Sequence, residues 1–593
     1  MRIVRDGIPA APGIVIGPAY VLRWEPPRVP HVTVPEDEVE AEIERFRQAR
    51  ADTQERIRQI QREAEGRLGP VEAQIFEPQV LMLDDVELIA GTESYIRENH
   101  LSAARAFELR MLEIQSEWSR SGHPMIMDRL NDLLDIQVRV VRHLLGLDDP
   151  DFSLGDVPDR VILVARDLTP TITVQLDVNA IMGIATDAGT RTSHAAILSR
   201  SLNLPSVVSL GDVSTLVSPG QPMILDGRAG RVICDPTAAE VQLYRERDIK
   251  LREWEQELLL LAHLDAVTPD HQAMQLRANI DLPGEAKSAR DHGARGIGLY
   301  RTEFFVVGRS TPPLEEEQYR CYREVAEVFP DDAVFIRTFD LGGDKFPLFL
   351  HMPAEENPFL GWRAIRVCLD TPDLFRAQLR AMLRASAHGD LRIMLPLIND
   401  VEEIRRTRRL LEDEEQKLRQ DGINFNPGYK VGIMIETPAA AMTAVELARY
   451  SDFFSIGTND LVQYTLAVDR GNARLAPLYT PFHPSVVRLI RRTVEAGRDA
   501  GIEVSVCGEM ASNPLGVYLL IGLGISALSV APASLPEIKK VVRSVPAASA
   551  REVVAEAMHA PTPQDVVTIL TRGLSQWLDL ELFGGRWNLS DHG

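Results

Sequence analysis

Cysteine is scarce: four residues in 593, Cys234, Cys321, Cys368 and Cys507, with no CxxC pair. That excludes a disulfide framework and a thiolate zinc site, and it fits a reducing compartment. Long apolar runs are also missing, and none approaches the ~20 residues that a membrane helix needs. At the N-terminus, MRIVRDGIPAAPGIVIGPAYV is broken by Pro12, Gly13, Gly17 and Pro18, so it lacks the h-region of a secretory signal. Basic residues are in deficit: 64 Lys and Arg against 86 Asp and Glu give a formal charge of −22. Such a chain is repelled by a phosphate backbone, which argues against nucleic-acid binding. The expectation is a soluble cytoplasmic protein. With 45% hydrophobic and 25% charged residues the composition is that of ordinary globular domains. The length accommodates about three to five of them at ~100–200 residues each.

After a short strand-like opening, Val39, Ile43, Phe46, Thr53, Ile57, Ile60 and Ala64 recur every three or four residues. Thr33 and Glu36 stand at capping-box spacing, which predicts one long helix from Thr33 to Gly66. Helical periodicity continues to Leu147, so an all-helical unit interrupts a β opening. It reads either as a bundle packed on itself or as a docking surface for a partner. From Asp159 short strands alternate with turns, RVILVA, AIMGIAT, SVVSL, PMILDG and RVICDP, with one helical stretch after TSHAAILSRSL; this is a small α/β domain. The charged segment VQLYRERDIKLREWEQELLLLAHL reads as a linker helix.

Eight β-like runs follow, separated by helix-length segments: MQLRANI, GIGLYRTEF, VFIRTFDLGG, LRIMLPLI, KVGIMIETP, FFSIGTND, EVSVCGEM and ALSVAP. This alternation predicts a (β/α)8 barrel, whose active site forms at the C-terminal ends of its strands. Polar residues gather at those ends: Arg301 with Glu303, Arg337 with Asp340, Glu436, Asn459 with Asp460, and Cys507 with Glu509.

Glu436 and Asp460 are hard oxygen donors suited to Mg²⁺ carrying waters and a phosphate. Arg301, Arg337 and Arg470 suit bidentate recognition of carboxylate or phosphate. Together they imply a small, strongly anionic, phosphorylated substrate. His194 follows Gly189, Thr192 and Ser193 where a helix is predicted to begin. That site suits a phosphohistidine, although a single histidine is as readily structural. Cys507, read alone, is a small buried hydrophobe or an acid that protonates an enolate carbon.

TDAGTRTSHAAILSRSLNLPSVV, GIGLYRTEF, IRTFDLGGDK, NPFLGWRAIR, SIGTNDLVQYTLAVDRGN and CGEMASNP occur in the order and spacing of a known family. Over nearly its whole length the chain resembles enzyme I of the bacterial phosphotransferase system, the phosphoenolpyruvate-protein phosphotransferases. The resemblance implies an α/β multidomain fold. Residues 1–32 and 148–240 would form a swivelling phosphohistidine domain, and 33–147 a helical insertion that docks a histidine-containing phosphocarrier protein. Residues 241–265 would be the linker helix, 266–575 a TIM barrel that binds phosphoenolpyruvate and forms a homodimer, and 576–593 a C-terminal tail. It further implies His194 as the phosphorylated histidine and Cys507 as proton donor. Arg301, Arg337, Asn459, Asp460 and Arg470 would be substrate contacts, with Mg²⁺ on Glu436 and Asp460. Arg363 in the GWR motif would line the site and Thr173 would hydrogen-bond the histidine. The implied activity is the first step of sugar uptake, from phosphoenolpyruvate through His194 to the carrier, with release of pyruvate. Two departures stand out: Thr190 where the family commonly has a second glycine, and Asn513 where an acidic residue often follows CGEMA. A pyruvate dikinase or phosphoenolpyruvate synthase shares the chemistry but needs a nucleotide domain, and no GxxxxGK[ST] loop is present. A catalytically idle regulatory scaffold would have no use for the reacting groups retained here.

Overall fold

The computed structural model describes residues 2–22, 26–68, 76–121, 124–147, 160–168, 172, 180–190, 193, 196, 199, 204–306, 309–342, 347, 349–350, 355–470, 472 and 474–587. The chain divides into two compact units, Met1–Leu251 and Arg252–Gly593. Among the described residues no helix is long and apolar enough to cross a membrane.

In the first unit, strands from two distant stretches of chain build one sheet. The first three are β1 (Ile3–Asp6), β2 (Ile8–Ala11) and β3 (Ile14–Leu22). The others are β4 (Val161–Ala165), β5 (Ile181–Thr186), β6 (Ser206–Val208), β7 (Pro222–Asp226) and β8 (Arg231–Cys234). Their order is β1-β8-β7-β3-β4-β5-β6-β2. β3 pairs parallel with β4 on one side and antiparallel with β7 on the other, so it joins the two stretches. β4 is buried along its whole length, which accounts for its unbroken apolar sequence VILVA.

Between β3 and β4 lie α1 (Val39–Leu68), α2 (Glu77–Leu83), α3 (Val86–Asn99), α4 (Ala103–Ser121) and α5 (Pro124–Leu144). Ile43, Phe46, Ile57 and Ile60 of α1 share a core with Phe76, Ile96, Phe107, Ile136 and Val140. The predicted helix start at Thr33 is corrected. A 3-10 turn, Glu36–Glu38, leads into α1, its N-cap is Pro35 with no side-chain cap, and Thr33 pairs with Leu101 instead. Pro35 explains the shift, because a proline disfavours helical geometry at the residue before it and separates Thr33 from the helix.

The helix Ala238–Leu261 runs out of the first unit into the second. There Trp254 and Leu258 are buried in the core of a closed barrel, β9 (Gln275–Ile280), β10 (Ile297–Tyr300), β11 (Val334–Arg337), β12 (Leu391–Leu395), β13 (Lys430–Ile435), β14 (Phe453–Ile456), β15 (Glu503–Val506) and β16 (Ala527–Val530). All eight pair in parallel and β16 closes on β9. The stretch set apart above as a tail is in part barrel: Leu578, Leu580 and Phe583 are buried in this core, with Phe583 edge-on to Trp254 at 5.1 Å between ring centroids.

Candidate active site

The strand ends place the predicted barrel residues around one cavity of about 510 Å³. Arg301, Arg337, Glu436, Asn459, Asp460, Arg470 and Cys507 all line it, together with Arg363. Arg301 follows β10, Arg337 ends β11, Glu436 follows β13 and Cys507 follows β15. Asn459 and Asp460 lie one step further on, in the first turn of the helix Thr458–Leu466 that follows β14. His194 and Thr173 lie outside the described residues.

The buried arginines belong to a chain of charges. Arg337 donates from Nη2 to Glu303 Oε1 at 2.8 Å and from Nη1 approaches Asp340 Oδ2 at 3.2 Å. Arg363 grips Asp340 with two bonds of 2.9 and 3.0 Å and reaches Asp460 Oδ2 at 3.2 Å. Its Nη1 donates to the Tyr464 hydroxyl at 2.9 Å, which in turn donates to the Phe359 carbonyl at 2.5 Å. Burial disfavours both guanidinium charges, but the surrounding carboxylates outweigh it and hold both arginines firmly protonated.

Glu436 is the exception in this chain. Its Oε1 accepts from the Leu397 amide at 2.6 Å, while Oε2 is buried with no hydrogen-bond partner among the described residues. Leu397 itself sits at φ 53°, a left-handed conformation unusual for a leucine. Burial, then the charges of Asp460 and Asp340, push the Glu436 carboxyl up to about 8. Arg337 pairs with Glu303 and Asp340, and Arg363 with Asp340 and Asp460; their charges lower the Glu436 carboxyl but do not offset its burial and its acidic neighbours. Beside the orphan oxygen is Gly457, where an added Cβ would stand 2.8 Å from Oε2, so the glycine keeps that space open. A divalent cation fits this arrangement of two carboxylates, one of them with a buried oxygen that accepts no hydrogen bond from the described residues. Among the described residues no group of three or more His, Cys, Asp or Glu side chains converges as a self-sufficient metal cage. Two carboxylates completed by water and phosphate oxygens are the usual Mg²⁺ pattern.

Asn459 and Glu509 clamp each other: the Asn459 amide donates to Oε1 at 3.0 Å, and the Glu509 backbone amide donates to Asn459 Oδ1 at 2.9 Å. Gly508 permits this approach, since a Cβ there would lie 1.9 Å from Thr458 Oγ1. The Cys507 thiol is buried and its pKa raised, chiefly by desolvation. Arg301 pairs with Asp281 at 2.9 Å at the edge of the cavity, and Arg470 is exposed.

Asn513 caps the helix Pro514–Leu523 by accepting from Leu515 and Gly516 amides at 2.9 and 3.1 Å, a task an aspartate performs equally well. In the turn containing Thr190, the positive φ falls on the retained glycine, Gly189, at 112°.

Asp281, Leu397, Ser455 and Tyr464 are absent from the sequence-level assignment of the site. For Ser455 a signal existed, a hydroxyl within the apolar run FFSI; Tyr464 lies on the helix Thr458–Leu466 but meets Arg363 and Phe359 from a distant segment, and the contacts of Asp281 and Leu397 depend on loop paths that no local pattern encodes.

Three family models match the chain: PEP-utilising enzyme, N-terminal, over residues 6–129; PEP-utilising enzyme, mobile domain, over 157–230; and PEP-utilising enzyme, PEP-binding domain, over 255–547. The phosphoenolpyruvate-protein phosphotransferase of Haemophilus influenzae is 41% identical over 561 residues, covering 95% of this chain and 97% of the relative. Those of Geobacillus stearothermophilus and Staphylococcus epidermidis are 39% and 38% identical, covering 96% and 95% of this chain and 98% of each relative. With a charged cavity at the barrel mouth and relatives matched from end to end, the chain belongs to the phosphoenolpyruvate-protein phosphotransferase family.

Proposed function

We propose that this enzyme transfers the phosphoryl group of phosphoenolpyruvate to His194 and then to a histidine-containing phosphocarrier protein, releasing pyruvate as the first step of sugar uptake. The observation that carries the reading is the cavity itself: Arg301, Arg337, Arg363 and Arg470, the Glu436–Asp460 pair and the Cys507 thiol meet at one barrel mouth. The arginines bind the carboxylate and phosphate of the substrate, with Asn459 held in place by Glu509. Glu436 and Asp460 hold Mg²⁺, which when bound supplies positive charge to the phosphoryl oxygens. An imidazole nitrogen of His194 attacks phosphorus, the P–N bond forms, and the bridging P–O bond breaks with its electron pair left on the enolate. The enolate carbon then takes the proton of the Cys507 thiol, giving pyruvate and a thiolate that regains a proton from solvent. Because one imidazole serves two sites, it must reach the barrel mouth and, in a separate step, the carrier.

The helical insertion is the carrier's dock in this reading, and Leu81, Val86 and Leu112 offer it exposed apolar side chains. The protein acts in the cytoplasm as a homodimer through its barrel.

The test is incubation of the protein with isotopically labelled phosphoenolpyruvate and Mg²⁺, followed by mass spectrometry under conditions that preserve phosphohistidine. Label on His194 with release of pyruvate is the expected result. Label elsewhere, or a His194→Ala protein that still phosphorylates the carrier, overturns the mechanism.

A further inference from the structure

A thiol in an apolar pocket is a poor proton donor, because the thiolate left behind is poorly solvated. Below Cys507 the barrel interior is lined by Leu299, Phe335, Met394, Met434 and Phe453, so little there stabilises a sulfur anion. The Ser455 hydroxyl of β14 is in contact with the sulfur: it lies 3.3 Å from Cys507 Sγ, and both side chains are buried. The thiol in turn faces the Ile456 carbonyl at 3.7 Å. The peptide carrying it is also fixed, since Asn279 donates to the Cys507 carbonyl at 3.0 Å and is itself held by Ser529 at 2.7 Å.

We infer that Ser455 is a positioning residue for the carbon-protonation step, its hydroxyl donating to Cys507 Sγ and stabilising the thiolate that forms. The inference rests on the reading of Cys507 as proton donor. In the step, the S–H bond breaks and its electron pair stays on sulfur, the C–H bond forms from the enolate π pair, and the enolate oxygen becomes the ketone. Ser455 keeps its own proton throughout and changes only the stability of the sulfur anion.

The charged groups around the thiol set the background. Glu436 at the end of β13 works against the thiolate, whereas Arg337 of β11 and Arg301 after β10 favour it. From β9, β16 and β12 the neighbours are Asn279, Ser529 and Met394, which carry no charge. On β15 the charged residue is Glu503, at the far end of the strand and paired with Arg277 and Arg392. Ser455 is therefore the neutral donor in contact with sulfur, and removing it leaves the charges in place.

The barrel supplies a matched control. Ser505 lies opposite Ser455 in the β14–β15 register, is equally buried, and donates to the Phe454 carbonyl at 3.3 Å rather than to sulfur. Ser455→Ala and Ser505→Ala each delete one buried hydroxyl, but only the first deletes the bond to the thiol.

The experiment is the pH–rate profile for alkylation of Cys507 by iodoacetamide in the full-length protein, quantified on the Cys507 peptide by mass spectrometry. Ser455→Ala is expected to move the inflection up by about one pH unit, a roughly tenfold loss of thiolate at any fixed pH below it. Ser505→Ala is expected to reproduce the parent profile. A Ser455→Ala profile superimposed on the parent, or an equal shift in Ser505→Ala, overturns the inference. The donor reading is judged separately with Cys507→Ala, by comparing enzyme-bound phosphohistidine with pyruvate formed in the enzyme's presence. Pyruvate formation at the parent rate there refutes the donor role, whatever the alkylation profiles show.

Discussion

Glu436→Gln is the most informative single substitution in this barrel, because it separates the cost of a buried charge from its use. In the metal-free protein burial and two neighbouring carboxylates hold the Glu436 carboxyl at about 8, against an ordinary 4.5. The folded state therefore binds more protons than the unfolded state between those values, and stability falls as pH rises from about 4.5 to about 8. At 1.36 kcal/mol per unit the full penalty above pH 8 approaches about 5 kcal/mol, an upper bound for a site that can relax. Glutamine keeps an oxygen for the Leu397 amide and removes the charge. For a cooperative unit the size of Arg252–Gly593, with ~2.1 cal/mol/K of unfolding entropy per residue, that corresponds to about 5–8 °C in Tm. Calorimetry of EDTA-treated protein should show Glu436→Gln more stable than the parent at pH 8 and close to it at pH 5. Adding Mg²⁺ at pH 8 should stabilise the parent and leave the variant nearly unmoved, while the variant loses phosphoryl transfer. A variant less stable than the parent at pH 8 without metal would refute the reasoning, since it would mean the carboxylate is already compensated.

Two further substitutions probe the same cavity from opposite sides. Arg363→Ala strands the buried carboxylates of Asp340 and Asp460 and should cost about 3–5 kcal/mol, read as a lower urea midpoint for the barrel transition together with loss of turnover. Asp281→Asn releases Arg301 from a partly exposed pair that competes with the substrate and repels it. Steady-state kinetics should show KM for phosphoenolpyruvate falling about threefold with kcat unchanged, and a raised KM would refute the competition.

The barrel was legible because its strands announce themselves locally: eight short β-rich runs at helix-length intervals, five of them with polar or reactive residues at their ends. The TIM-barrel rule then placed Arg301, Arg337, Glu436 and Cys507 at one mouth without knowledge of any side-chain contact. Failures occurred where a distant or covalent constraint overrides local pattern. Thr33 and Glu36 have the spacing of a capping box, yet Pro35 between them decides where the helix starts. The segment after residue 575 offers little periodicity, but Phe583 finds Trp254, more than 300 residues earlier, and is buried against it.

The electrostatics of the cavity were the least legible, for a reason that bears on mechanism. A sequence supplies the signs of Glu303, Arg337, Asp340, Arg363, Glu436 and Asp460 but not their pairing, and pairing decides which charge is left over. Arg337 and Arg363 bond to Glu303, Asp340 and Asp460, while Glu436 Oε2 is buried with no hydrogen-bond partner among the described residues. A carboxyl held protonated up to about pH 8 in the metal-free protein must give up its proton when a cation takes its oxygen, so cation binding and proton release are coupled there. In the proposed mechanism a divalent cation at this carboxylate would supply the positive charge that meets the phosphoryl oxygens. The buried arginines therefore do more than attract anions: by holding Asp340 and Asp460 in fixed positions they leave Glu436 Oε2 open to a cation, beside Gly457 where space has been left for it.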